Sequence, residues 1–99
     1  MKGWMYILKC ADGSYYTGST NNLLLRMQQH QAGEGANHTK KRLPVILVYV
    51  EEFKRIDHAF EREKQVQGWN RKKKEALING NRHLLSEISK AYRDRSKDQ

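Results

Sequence analysis

The sequence predicts an α+β domain, a small three-stranded antiparallel sheet flanked by helices in the order β-β-α-β-α-α-α. Three observations carry this. Two aromatic-rich runs near the start are joined through Asp12-Gly13, a strong hairpin-turn pair. A β-branched run, Val45 to Val50, stands alone in mid-chain and is apolar without alternation, as a central strand covered on both faces would be. From Asp57 to Tyr92, apolar residues recur at helical spacing, interrupted at Gly68 and Gly80. The chain has 99 residues, a length suited to one domain.

The elements follow in order. Trp4-Met5-Tyr6-Ile7-Leu8-Lys9 contains no breaker and reads as a buried strand. Cys10 to Ser14 turns the chain, and Ser14-Tyr15-Tyr16-Thr17-Gly18 returns beside it. Gly18, directly after such a strand, signals a bend or a close backbone approach. Ser19-Thr20-Asn21-Asn22 supplies N-cap residues, and Leu23, Leu24, Met27 and Gln31 then follow at helical spacing up to Gly33. This predicts a helix near 21–32. Residues 33–38 are polar and Gly-rich and read as a loop closed by Lys40-Lys41-Arg42. After Pro44 comes the central strand, ended by Glu51-Glu52-Phe53. Asp57 is placed to cap a helix from His58 to about Gln67 whose apolar stripe is Ala59, Phe60 and Val66. Asn70 is placed to cap the next, Arg71 to Asn79. Leu84, Leu85, Ile88 and Tyr92 mark a helix over 81–92, and residues 93–99 have nothing to bury.

Composition excludes several classes. No apolar run approaches the roughly 18 residues of a membrane helix. The start lacks the charged, apolar and small-residue order of a secretory signal, and Cys10 is the single cysteine, so neither an internal disulfide nor a Cys-based zinc cluster forms. A cytoplasmic, soluble, basic domain is expected. The net charge of +8 is concentrated late, with +5 in residues 63–99. Lys40-Lys41-Arg42 and Arg71-Lys72-Lys73-Lys74 are the densest runs, and they suit a polyphosphate partner because each neutralised phosphate releases counterions. A solubilising surface would have the same composition.

Three groups of residues break their local pattern. Glu63 lies four after Ala59 and three before Val66, on the stripe that should face the core, where a carboxylate is costly unless paired or bound to a cation. Arg26 and His30 are four apart and share a helix face, as a solvated polar face also would. Tyr6 and Tyr16 lie on the two hairpin strands, where sheet packing alone would account for them. The histidines and Cys10 match no zinc-ligand spacing, and no phosphate-cradling or dinucleotide-binding glycine motif is present.

Together these residues resemble the GIY-YIG nuclease domain. Its two eponymous triplets, about ten residues apart in an N-terminal hairpin, correspond to Trp4-Met5-Tyr6 and Tyr16-Thr17-Gly18. Trp4, Met5 and Thr17 depart from the triplets at strand positions. The family's helix arginine corresponds to Arg26, and its later glutamate, four after an alanine, to Glu63 after Ala59. Small stand-alone bacterial members are most similar, through Gly35-Ala36, Thr39, Pro44, Leu47-Val48-Tyr49 and the segment from Lys74 to Ile78. The likeness covers roughly residues 3–80, which makes 1–80 the nuclease-like domain. It implies a metal-dependent endonuclease acting on phosphodiester bonds, on DNA more than RNA, with repair or recombination as its setting.

The resemblance also implies roles. Tyr6 would act as general base, helped by Tyr16, Arg26 or His30, because a free tyrosine has a pKa near 10. Arg26 would hold the phosphate, and Glu63 would bind one Mg²⁺ or Mn²⁺. His30 corresponds to a position often His or Tyr, and Asn70 to a polar residue some members place near the metal. Gly18, Lys40, Lys41, Arg42, Asn70, Arg71, Lys72, Lys73 and Lys74 would contact nucleic acid. Tyr6, Tyr16, Arg26 and Glu63 should converge on one shallow basic groove, on the same side of the sheet. Two other readings stay open: a non-catalytic nucleic-acid-binding module of nuclease ancestry, and a basic protein-interaction domain. A lone domain would take its specificity from DNA shape or from a protein partner.

Overall fold

In a computed structural model the chain is described over residues 1–80. The expected C-terminal helix at 81–92 and the tail at 93–99 lie outside the described residues. The elements are β1 (Gly3–Lys9), β2 (Tyr15–Thr20), α1 (Leu23–Gln31), α2 (Asn37–Lys40), β3 (Ile46–Phe53), α3 (Ile56–Gln67) and α4 (Arg71–Gly80). The three strands form one antiparallel sheet in the order β2-β1-β3.

The central strand is β1, which corrects the expectation for Val45–Val50. In β1, Met5, Tyr6, Ile7 and Leu8 are all at most 1% exposed, because both faces of that strand are covered. β3 is an edge strand, and its Ile46 stays 62% exposed. An apolar run shows that a strand is buried somewhere along its length, not which neighbours it has. β3 also runs past Val50, since Gly3 and Trp4 of β1 pair with Phe53 and Glu52.

Alternation along β1 divides the core in two. Tyr6, Leu8 and Cys10 point to the face covered by α1, where they meet Leu23, Val45 and Val50. Met5 and Ile7 point to the other face and pack with Tyr49, Val66, Trp69, Leu77 and Ile78 beneath α3 and α4.

Local signals place the helices. Asn22 caps α1 by accepting from the Leu25 amide, and Gly33, at φ +77°, follows its C-terminal end. Asn70 caps α4 through the Lys73 amide at 2.9 Å. Other expectations need correction. Leu24 is 44% exposed; α1 is anchored by Leu23, whose full burial is worth about 1.5–3 kcal/mol. The predicted loop is interrupted by α2. Arg55, not Asp57, is the α3 cap residue, and Asp57 instead pairs with Arg55 at 2.9 Å. Phe60 is half exposed, so the buried stripe of α3 is Ala59, Glu63 and Val66.

Candidate active site

The site begins with a buried tyrosine. Tyr6 projects from the central strand to the α1 face, and its partner across the hairpin is Gly18. A Cβ at position 18 would lie 2.5 Å from the Tyr6 hydroxyl oxygen and 2.6 Å from its ring. The phenol therefore lies flat over the edge strand only because position 18 has no side chain. α1 brings Arg26 and His30, one turn apart, onto this phenol. The Tyr6 hydroxyl is 2.8 Å from His30 Nε2, and His30 is fully buried. Tyr16 completes the cluster, with its ring centroid 6.4 Å from Tyr6 and 5.5 Å from His30. His38 stacks on the outer side of Tyr16 and bonds Ser14 through Nε2 at 2.9 Å.

Burial sets the proton affinities. It pushes the Tyr6 phenol up to about 12, with the Arg26 guanidinium pulling the other way and Tyr16 and Glu63 adding to the rise. Tyr16 is raised for the same principal reason. His30 is pushed down to about 4, first by burial and then by the positive charge of Arg26. Its imidazole is neutral at pH 7. For Arg26, burial favours the neutral form, but the adjoining phenol oxygens outweigh it, and the guanidinium is held more firmly charged.

Glu63 reaches the cluster from the opposite direction. α3 covers the Met5–Ile7 face, whereas Tyr6 and α1 occupy the other, so the residues do not share one side of the sheet as expected. The carboxylate comes to the rim instead. Ser19 of β2 donates to Glu63 Oε1 at 2.5 Å, and Gln67 Nε2 donates to Oε2 at 2.8 Å. The Tyr6 phenol and the Glu63 carboxylate thus flank the Gly18–Ser19 segment of the edge strand, one from each face. Glu63 acts on Tyr6 and Tyr16 through its charge. Among the described residues its nearest cation is Lys64 Nζ, 3.6 Å away. Among the described residues, no three His, Cys, Asp or Glu side chains gather into a metal cage. One buried carboxylate, oriented by Ser19 and Gln67, fits a hard cation that keeps most of its waters.

The basic runs converge on the hairpin turn. Arg42 donates to Asp12 at 2.9 Å, and Arg71 donates to the Gly13 carbonyl at 2.7 Å. Arg71 also lies over the Tyr15 ring, and Lys73 over Trp69. Lys40, Lys41 and Lys72 are exposed, and Lys74 is partly buried. The Asn70 side-chain oxygen is engaged in its cap.

The model of the GIY-YIG catalytic domain matches residues 2–76. The chain belongs to the GIY-YIG family. A relative, the UPF0213 protein of Staphylococcus haemolyticus, is 44% identical over 77 residues, spanning 78% of this chain and 94% of that one. The solution structure of the UPF0213 protein from Bacillus halodurans superposes with a TM-score of 0.56 at 38% identity, over 83% of this chain and 87% of that one. That of an E. faecalis protein gives 0.57 at 34%, over 85% and 88%. A GIY-YIG domain carries a nuclease-like role, and among the described residues no helix is long and apolar enough to cross a membrane.

Several residues of this cluster escape sequence reasoning. Ser19 and Gln67 hold Glu63, and Thr39 holds His30 Nδ1 at 2.9 Å. In the sequence Ser19 reads only as an N-cap candidate. Gln67 lies four after Glu63, a spacing that could have flagged it. Thr39 had no signal beyond its place in the family-like stretch.

Proposed function

We propose that this protein is a metal-dependent endonuclease that hydrolyses phosphodiester bonds in DNA. The observation that supports this most is the Tyr6 hydroxyl, bonded to a neutral, buried His30 beside the Arg26 guanidinium. A tyrosine with a pKa pushed up to about 12 is not a phenolate at neutral pH. It serves as a base by relay: it takes a proton from the attacking water while its own proton passes to His30 Nε2. The hydroxide oxygen bonds to phosphorus, and the bond from phosphorus to the 3′ oxygen breaks. Arg26, a planar fork, holds the non-bridging oxygens and offsets the charge that develops on them. Phosphate binding also neutralises Arg26, which removes one of the two influences that keep His30 a poor proton acceptor. Glu63 is the residue that would hold Mg²⁺ or Mn²⁺, and the cation would supply Lewis-acid charge for the reaction. The exposed lysines of the two basic runs track the backbone, and DNA shape or a protein partner supplies specificity. DNA repair or recombination is the setting this chemistry serves, in the cytoplasm.

The test is cleavage of branched, nicked, single-stranded and duplex DNA, with an RNA duplex for comparison, in Mg²⁺ or Mn²⁺. Wild type should cut at least one DNA substrate, while Glu63→Ala and Tyr6→Phe should not. Salt-dependent binding without cutting in either metal would overturn the enzymatic reading and leave a binding module. Loss of salt-dependent binding as well would leave a protein-interaction domain.

A further inference from the structure

The segment Gly35-Ala36…Thr39 has no role in the reading above, yet it meets the catalytic cluster directly. Thr39 is fully buried on α2. Its Oγ1 lies 2.9 Å from His30 Nδ1 and 3.0 Å from the Ala36 carbonyl oxygen. A hydroxyl has one proton. The carbonyl can only accept, so the Thr39 proton goes to Ala36, and Oγ1 is left to accept from Nδ1–H. The ring is then protonated on Nδ1 and bare on Nε2, so Nε2 accepts from the Tyr6 hydroxyl 2.8 Å away. Gly35 keeps the ring in place from the loop side: a Cβ there would overlap it, with His30 Cε1 2.9 Å away.

We propose that Thr39 is a positioning residue that fixes the Nδ1–H tautomer of His30 and so makes Nε2 the acceptor of the Tyr6 proton. Which ring nitrogen carries the proton is decided by the bond the other makes, and here that bond is supplied by a side chain outside the reacting groups. The consequence for turnover rests on the nuclease reading; the tautomer does not.

Long-range ¹H–¹⁵N correlation spectra of uniformly labelled protein at pH 7 test this. Wild type should show His30 protonated on Nδ1 and bare on Nε2. Thr39→Ser should keep that pattern and cleave DNA like wild type. Thr39→Val, which has nearly the same shape but no acceptor, should move His30 to a mixture or to Nε2–H and lower cleavage on the order of 10²-fold. Tyr6→Phe should leave the Nδ1–H tautomer in place. An Nε2–H tautomer in wild type overturns the proposal, even if Thr39→Val fails to fold. So does an unchanged tautomer in Thr39→Val, or a switched one in Tyr6→Phe, which would make Tyr6 the deciding group. The expected tautomers without DNA cleavage would overturn the nuclease reading and uphold this one. The wrong tautomer with cleavage would do the reverse.

Discussion

Ser19 of β2 donates its hydroxyl to Glu63 Oε1 at 2.5 Å, tying a helix on one face of the sheet to the edge strand beneath a tyrosine on the other. With Gln67 on the second oxygen, the carboxylate is oriented before any ligand arrives. Ser19→Ala and Gln67→Ala should each retain the fold and weaken metal-supported cleavage by roughly 10–100-fold. The readout is a Mg²⁺ titration of rate, where the half-saturating concentration should rise.

Glu63→Gln preserves shape and removes charge. Cleavage should fall on the order of 10²–10³-fold, the range seen when one preorganised electrostatic group is lost. Chelation with EDTA should abolish cutting without moving the thermal unfolding midpoint, because the described residues form no structural metal cage. A midpoint that falls on chelation would mark the ion as structural.

Tyr6→Phe leaves the buried His30 Nε2 without its donor. The expected stability cost is about 1–3 kcal/mol, read by urea unfolding. Cleavage should drop about 10²–10⁴-fold, the usual contribution of a positioned general base. A variant with the stability loss but full activity would remove Tyr6 from the chemistry.

Stability should depend on pH through His30, which faces Tyr6, Tyr16 and Arg26 and is pushed down to about 4 when folded, from an ordinary value near 6.5. Between these values the unfolded chain binds the extra proton. The contribution is fully present above pH 6.5 and is lost as pH falls through 6.5 towards 4, on the order of 1–3 kcal/mol. Urea unfolding at pH 7 and pH 4.5 should show this loss in wild type, and a much smaller one in His30→Gln.

Gly18→Ala places a methyl 2.5 Å from the Tyr6 hydroxyl oxygen. Overpacking of this kind costs about 1–3 kcal/mol. The phenol must shift off His30, so activity should fall with stability. If the variant is as active as wild type, Tyr6 does not need its place over the edge strand.

In the basic runs, Lys40→Gln, Lys41→Gln and Lys72→Gln should each weaken DNA binding evenly across sequences and reduce the salt slope by about 1. Arg42→Gln should behave differently, because its guanidinium is already bonded to Asp12 and the His38 carbonyl. It should lower stability more than binding.

Much of this was legible in one dimension. Asp12-Gly13, Asn22, Gly33 and Asn70 act locally, through turn geometry and caps, and they sit where short-range chemistry puts them. The misreadings concern partners. Whether Val45–Val50 is central, or Phe60 and Leu24 are covered, depends on which surface arrives from elsewhere in the chain. A periodic stripe predicts a face, not the width of what covers it.

The sequence by itself determined the three-strand-and-helix architecture, the misplaced carboxylate at Glu63, and the tyrosines and Arg26 that carry the family's pattern. Hydrophobic periodicity and side-chain chemistry are properties of neighbouring residues, so they survive in the string. Only the tertiary structure decided that Glu63 and Tyr6 approach from opposite faces and meet around the Gly18–Ser19 segment. It also supplied Ser19 and Thr39, which hold Glu63 and His30 through hydrogen bonds spanning 44 and 9 residues. Such bonds require two groups within about 3 Å, and the register of the strands and the packing of the helices bring them that close.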